Sequence, residues 1–481
     1  MVFYFLISHF IFFISNFMFM IPGGSDIIKY FSTVGLMLLI AGTGCKKLVQ
    51  VDPPDNQLVE GTVFSNDSLA QSAVNGIYIK IMSNSRYFLN GGTSLYPGLS
   101  ADEVVRTSTS PSEDQFSSNT LTAGNQPVYV NLWKAAYSYI YQCNICIAGL
   151  EKSTGVSDEV KNRLTGEVQF VRALCYFYMV NLYGKVPLVL STNADVNAVL
   201  PRSDIDNVYA QIIVDLQSAI ALLTNDRANT TPSQLAARAL LARVYLYKQY
   251  WDLAETNASA VINAGKYQLQ SDLNTVFKSN SSETIFQWVP VTPNANAPEG
   301  NIFIPPSAAA RPVYKICTVL MNAFEAGDLR KISWIKTVPL GGQTYSYPYK
   351  YKVYNSSSPT EYNIVLRLAE QYLIRAEARA NQNNIAGAVA DINVIRTRAG
   401  LPALSPGLSK DQCLLAIEQE RRIELFTEWG HRWFDLKRTN RVDTVLSAVK
   451  GTNWQPADQF YPIPQSELET DVHLDQNPGY E

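Results

Sequence analysis

Histidine and cysteine are scarce in this chain, with three histidines and six cysteines among 481 residues. His9, His431 and His473 have no Cys or Glu partners at ligand spacing, so the sequence supports no metal site. It has no P-loop or dinucleotide-type glycine loop and no G-x-S-x-G nucleophile elbow. These absences remove the common nucleotide, cofactor and acyl-transfer chemistries, and no cofactor is expected. Charged residues make up only 17%, nearly balanced at 39 basic against 42 acidic. That balance gives no electrostatic footprint for nucleic acid. Cys143-Asn144-Ile145-Cys146 is a C-x-x-C, but it sits inside an apolar helical pattern and reads as buried thiols rather than a redox pair. The carboxylate neighbours Asp102–Glu103 and Glu113–Asp114 are adjacent in sequence, and such neighbours rarely face each other across a cleft as glycosidase carboxyls must. They read as solvated or loop-anchoring acids.

The first 44 residues are almost free of charge. Val2 to Ile21 is apolar and long enough to span a bilayer. A second, shorter apolar run follows Lys29 and ends in Ala41-Gly42-Thr43-Gly44 before Cys45. This is the order of a bacterial signal peptide, and the cysteine after small residues resembles a lipobox, with Gly42 where Leu is usual. Residues 1–44 are therefore expected to be a signal segment whose true start lies near Lys29; the rival reading of the leading run is a transmembrane helix. Cys45 is expected to carry the lipid. Residues 45–61, with Pro53-Pro54, read as a tether, and 62–481 as one α-rich domain. With Cys45 acylated, five cysteines remain, so a disulfide-dependent fold is not expected.

Helical periodicity dominates the domain. Helices are expected over Phe64 to Met82 with Leu69, Ala73, Ile77 and Ile81 on one stripe, over Val128 to Lys152, over Ser157 to Tyr183 with Gly184 as the stop, and over Asp204 to Leu223. Arg172, among Phe170, Tyr176 and Phe177, is expected to be held by packing and stacking. Two alanine-rich helical hairpins follow, Pro232 to Lys248 with Trp251 to Asn263, and Leu366 to Ala380 with Ile385 to Arg398. Setting Arg375 on Arg243 also sets Leu373 on Leu241 and Ala390 on Ala258. Matched helix pairs of this kind look like tetratricopeptide units, which bury their apolar faces on each other. Two stretches break the pattern and are expected as loop-bearing regions, 84–120 and 268–360. In the second, Thr284 to Val289 is strand-like, and Tyr345, Tyr347, Tyr349 and Tyr351 alternate on one face of an extended segment.

The stretch Gln419 to Arg438, QERRIELFTEWGHRWFDLKR, carries the densest signal. Phe426, Trp429, Trp433 and Leu436 recur at helical spacing, with Gly430 as a kink. Glu420, Arg421, Arg422, Glu424, Glu428, Arg432 and Asp435 lie before and among them, and such density beside two tryptophans requires buried ion pairs. The run E-R-x-x-E-L-x-x-E-x-x-x-R-W-x-D-L-x-R resembles the C-terminal hallmark of the SusD/RagB family. The block GEVQFVRALCYFYMVNLYGKVPL and the terminal Gln-Asn-Pro-Gly-Tyr resemble further blocks of that family in the right order. The resemblance covers nearly all of Cys45 to Glu481. It implies a mostly α fold with tetratricopeptide helices on one side and an irregular loop and short-strand side that binds ligand. It also implies an outer-membrane lipoprotein that binds a nutrient and partners a SusC-like TonB-dependent transporter, without catalysis.

The 27 tyrosines suit stacking on sugar faces, with Asn, Asp and Arg bonding the hydroxyls. The same composition suits an ordinary secreted core; within the family resemblance an oligosaccharide or polysaccharide is the expected ligand, with peptide cargo left open. The loops Tyr87 to Tyr96 and Trp288 to Tyr314 are expected to expose aromatics beside amides. The candidate ligand-binding residues are Tyr87, Asn90, Tyr96, Trp288, Asn294, Asn296 and Tyr314, with Tyr96 and Trp288 as stacking platforms. The competing cluster Tyr345 to Tyr354 leads into a scaffold helix and reads as packing. The alternatives are a structural tetratricopeptide lipoprotein that binds proteins or peptides, and a surface glycan hydrolase.

Overall fold

The computed structural model describes residues 63–480. The expected signal segment, the lipidation residue Cys45 and the whole tether lie outside the described residues.

The helical pattern becomes a stack of antiparallel helices. Asn66 accepts from the Leu69 N–H and opens α1, Asp67–Met82. The buried stripe of α1 is Ala70, Val74, Ile77 and Ile81 rather than the expected Leu69 and Ala73, a rotation of about one residue. Asp67 explains the next start. Its carboxylate accepts from the Ser157 N–H and O–H at 2.7 and 2.9 Å, so Ser157 is bonded across the structure and makes no side-chain cap of its own. Gly92–Ser100 forms α2 and Pro111–Ser118 forms α3. A π-helical stretch, Pro127–Lys134, runs into α4, Ala135–Lys152. The long α5, Asp158–Tyr183, ends at Gly184 with φ +71°, where a side chain would be strained. Ile205–Leu222 is α6.

The two hairpins are present. Gln234–Tyr247 and Trp251–Asn263 form α7 and α8; after a short helix α9, Pro298–Phe303, Leu368–Asn381 and Ile385–Arg398 form α10 and α11. Helix α7 starts two residues later than Thr231-Pro232 suggests, because Ser233 supplies the cap that accepts from the Ala236 N–H. Each hairpin packs within itself, and α8 packs on α10, so the repeats share a face as their alanines allow. The hairpins are pinned differently. Arg243 grips Glu370 across the repeats, whereas Arg375 pairs with Asp391 inside its own hairpin. Arg172 is likewise an ion-pair residue, not merely a packed one: it donates to Asp215 at 2.7 and 2.8 Å and to Asn144 at 2.8 Å.

The hallmark run is two helices, not one. Lys410–Glu424 forms α12 with a Ser409–Gln412 capping box, and His431–Arg438 forms α13, followed by α14, Val442–Lys450. Between α12 and α13 the chain turns through positive φ at Thr427, Trp429 and Gly430. Two of these are not glycine, a cost of about 1 kcal/mol or more each. Distant side chains hold them: the Thr427 N–H donates to Glu103 and the Trp429 N–H to Ser94, both at 3.0 Å. The expected apolar residues Phe426, Trp429, Trp433 and Leu436 are all buried, as are Glu420, Arg421, Glu424, Glu428, Arg432 and Asp435, while Arg422 is half-buried. No described helix is long and apolar enough to cross a membrane.

Strands are short and paired antiparallel. Val104–Arg106 (β1) pairs with Tyr314–Ile316 (β3), and Thr284–Trp288 (β2) with Asn363–Arg367 (β6). Ile335–Leu340 and Gln343–Pro348 (β4 and β5) form a hairpin turned by Gly341 and Gly342, both at positive φ. Residues 84–120, expected as an irregular loop, hold α2, β1 and α3, and every residue from 88 to 104 is buried. The Ser and Gly content misleads here. Ser94 and Ser100 are bonded to Glu299 and Tyr461, and Gly92 lets its backbone lie against the Tyr87 carbonyl. Tyr345, Tyr347 and Tyr351 are buried, in keeping with packing.

Candidate ligand-binding site

The seven residues singled out from sequence separate into three core aromatics, two amides that line one cleft, and Tyr87 and Asn294, which do not line it. Three aromatics are core. Tyr96 is 1% exposed, stacks on Phe116 with centroids 4.7 Å apart, and accepts from Asn131 at 2.6 Å. Trp288, also 1% exposed, lies on β2 against Phe286 and Tyr78, at 4.6 and 5.3 Å. Tyr314 is fully buried, and its hydroxyl donates to Glu113 at 2.7 Å. Glu113 also pairs with Arg106 and Arg86, so this acid anchors β1, β3 and α3 rather than facing solvent. The expectation that Tyr96 and Trp288 form exposed platforms is therefore corrected: large aromatic surface next to the α1–α5 core gains more from burial than a loop position provides.

Two of the three expected amides come together. The turn after α1 and the loop from β2 into α9 enclose a cleft of about 310 Å³. Asn90 and Asn296 line it, with Ser83, Thr292, Asn301 and Asn355. Proline at 290, 293 and 298 stiffens the loop that carries them. Asn90 is held by its own Nδ2 donating to the Met82 carbonyl at 3.1 Å. Asn296 Oδ1 accepts from the Thr360 and Glu361 N–H groups at 2.9 and 3.1 Å, which fixes the amide plane. Its Nδ2, buried, finds no acceptor among the described residues. A fixed donor without a partner is positioned for a ligand oxygen. Asn294 is exposed at positive φ, and its carbonyl accepts from the Ser356 N–H. Tyr87 is half-buried and packs against the main core beside Asn90 in sequence.

Sequence reasoning missed Ser83, Asn301 and Asn355. The Pro- and Asn-rich composition of 290–301 was the available signal; Asn355, from a separate turn after β5, had none. No lining residue of the cleft is ionisable. The nearest acid in chain order, Glu299, is buried and does not line it: burial pushes its carboxyl up to about 7, against which the Ser94 O–H donates at 2.8 Å. Among the described residues no group of His, Cys, Asp and Glu is arranged to hold a metal ion. Cys143 and Cys146 are free, buried thiols.

Asp102 and Glu103 are also buried, and they serve the fold. Asp102 accepts from Arg432 at 2.8 and 3.1 Å and from Arg422 at 2.6 Å. Glu103 holds the Thr427 turn, and burial pushes its carboxyl up to about 8.

A family model described as "SusD family" matches residues 336–480, and one described as "starch-binding associating with outer membrane" matches residues 60–246. A SusD-like protein of Formosa agariphila is 25% identical over 92% of this chain and 97% of its own length. The starch-binding protein SusD of Bacteroides thetaiotaomicron is 33% identical over 24% of this chain and 21% of its own. A SusD superfamily protein of Bacteroides vulgatus superposes with a TM-score of 0.76 at 22% identity, covering 87% of this chain and 100% of that one. A laminarin-binding SusD-like protein superposes at 0.72 and 25% identity over the same shares. The second helical hairpin, the hallmark turn and the terminal block lie in one matched segment and the helices from α1 to α7 in the other, and over both segments this chain is similar to the SusD family.

Proposed function

We propose that this protein is a carbohydrate-binding protein of the outer membrane. It captures an oligosaccharide in the asparagine-lined cleft and passes it unaltered to a partner TonB-dependent transporter. The similarity to the SusD family supports the ligand class, since relatives are named for binding starch and laminarin. The name of one matching family model supports outer-membrane association. The single observation that carries the site is Asn296, whose amide is fixed by two backbone donors while its own donor stays unfilled. Amides and hydroxyls on a proline-stiffened frame bond sugar hydroxyls in either sense, and they move no proton. Residues 1–44 as a signal segment and acylation at Cys45 belong to the same proposal; an intact Met1 terminus in mass spectra of the native protein would count against both.

The test is calorimetric titration of the full chain in mild detergent with starch and laminarin oligosaccharides. Asn296→Asp keeps the acceptor and removes the donor, and it should weaken binding about tenfold. Asn301→Ala should weaken it less. The oligosaccharides should be recovered uncut. Wild-type affinity in both variants would remove the cleft from consideration, and shortened products would make the protein a hydrolase. Recovery with an outer-membrane barrel from native membranes checks the transporter partnership.

A further inference from the structure

A second cavity, about 440 Å³, lies between the start of α8 and helices α10, α12 and α13. It shares no lining residue with the asparagine cleft. Five guanidiniums line it: Arg421, Arg422, Arg432, Arg438 and Arg441. Asp435 and Glu377 pair with Arg421 and Arg438, and Asp102 and Glu418 pair with Arg422, Arg432 and Arg441. Four carboxylates thus face five guanidiniums, and Asp411 on the exposed rim restores neutrality. The cavity therefore selects by where its donors point, not by net field.

Two of those donors are unfilled. Arg421 is 2% exposed, and its Nε and Nη2 donate to Asp435 at 2.8 and 3.0 Å, but Nη1 finds no acceptor among the described residues. Arg422 donates to Asp102 through Nη2, and its buried Nε finds none among them. A buried guanidinium N–H left open costs about 1–3 kcal/mol. Arg421 lines this cavity and Arg422 lines both it and a neighbouring one beside Val319 and Ala448, so this is the cavity in which one ligand meets both side chains. A carboxylate, with two oxygens and no donor, is the group that fits a pair of open guanidinium donors. The rest of the wall is neutral. The half-buried Trp251 offers an indole, and Asn381, Asn440 and Gln249 offer amides. An aromatic face with amides suits a hydroxylated ring.

We propose that this cavity is a second binding site, which takes a carboxylate-bearing sugar, its carboxylate on Arg421 and Arg422 and its ring against Trp251. The sugar part rests on the carbohydrate-binding reading; the carboxylate part rests on the open donors alone.

The experiment titrates the full chain in mild detergent with glucuronate, glucose and acetate. Glucuronate should bind saturably, acetate should compete with it more weakly, and glucose should not compete. Arg422→Gln should weaken glucuronate at least about tenfold. Trp251→Ala, which leaves every ion pair whole, should weaken glucuronate but not acetate, and it covers the case in which the Arg422 variant does not fold. Asn296→Asp should leave glucuronate binding unchanged. The proposal is overturned if glucuronate does not bind, if it binds no better than acetate, or if neither cavity variant weakens it. Loss of glucuronate in Asn296→Asp alone would put it in the first cleft and also overturn the proposal, while leaving the first reading intact.

Discussion

Glu424 is the best single probe of the buried charge cluster beneath the hallmark turn. Its Oε1 accepts from Arg367 at 2.6 Å and from Arg398, and its Oε2 accepts from Arg330 at 3.0 Å. Burial by itself favours the neutral acid, but Arg398, Arg367 and Arg330 outweigh it and hold the carboxyl well below the usual range. Glu424→Gln keeps the shape, removes the charge and sets an amide donor where an oxygen accepted. Each guanidinium keeps another carboxylate: Arg367 has Glu283 and Glu428, Arg330 has Asp328 and Glu420, and Arg398 has Glu283. The loss therefore falls at the low end for breaking a buried pair, about 3 kcal/mol. Unfolding entropy of ~2.1 cal/mol/K per residue over the described chain turns this into a fall in Tm of about 3–4 °C by scanning calorimetry. Glu418→Gln is the control. Glu418 is partly exposed and its ion pairs are 3.5 Å long, so its loss should cost about 1 kcal/mol or less. The sign with pH follows from the direction of the shift. A carboxyl depressed in the folded state contributes stability above its ordinary range, and that contribution is lost as pH falls toward the folded value. The gap between wild type and Glu424→Gln should be widest at neutral pH and close as pH falls below about 4. Equal Tm shifts for Glu424→Gln and Glu418→Gln would show that the cluster is not desolvated, and the reasoning would fail.

Glu103 should behave in the opposite sense. Burial raises its carboxyl from 4.5 to about 8, so the folded state keeps a proton that the unfolded state has released, and stability falls as pH rises through that window. Glu103→Gln should flatten the decline of Tm between pH 5 and pH 8; an unchanged slope would assign the decline to other groups. Trp288→Ala should cost about 3–5 kcal/mol in urea unfolding, because it empties a site walled by Phe286 and Tyr78. A stable Trp288→Ala protein that no longer binds glycan would return that residue to the ligand site.

Much of the scaffold is legible in sequence because helices are local. Period, caps and stops are written within a few residues, so α8 and α11 run over the very residues, Trp251 to Asn263 and Ile385 to Arg398, that their periodicity marks. Two tryptophans among seven charges in the hallmark run also required buried ion pairs, whatever the partners. The partners themselves are non-local. Glu103 holds the Thr427 turn and Asp102 holds Arg432 across more than three hundred residues, so the run reads as one helix until those contacts break it in two. Polarity misled in the same way at 88–104. Serine and glycine read as a loop, yet buried serines become satisfied once Glu299 and Tyr461 arrive from far along the chain. The binding cleft follows suit. Local composition marked Asn90 and Asn296 as polar loop residues, and only tertiary packing decided that their amides would face one cleft while Tyr96 and Trp288 turned inward. The physical reason is that burial is a property of the assembled surface: an aromatic goes where the largest apolar area is removed from water, and no local pattern states where that is.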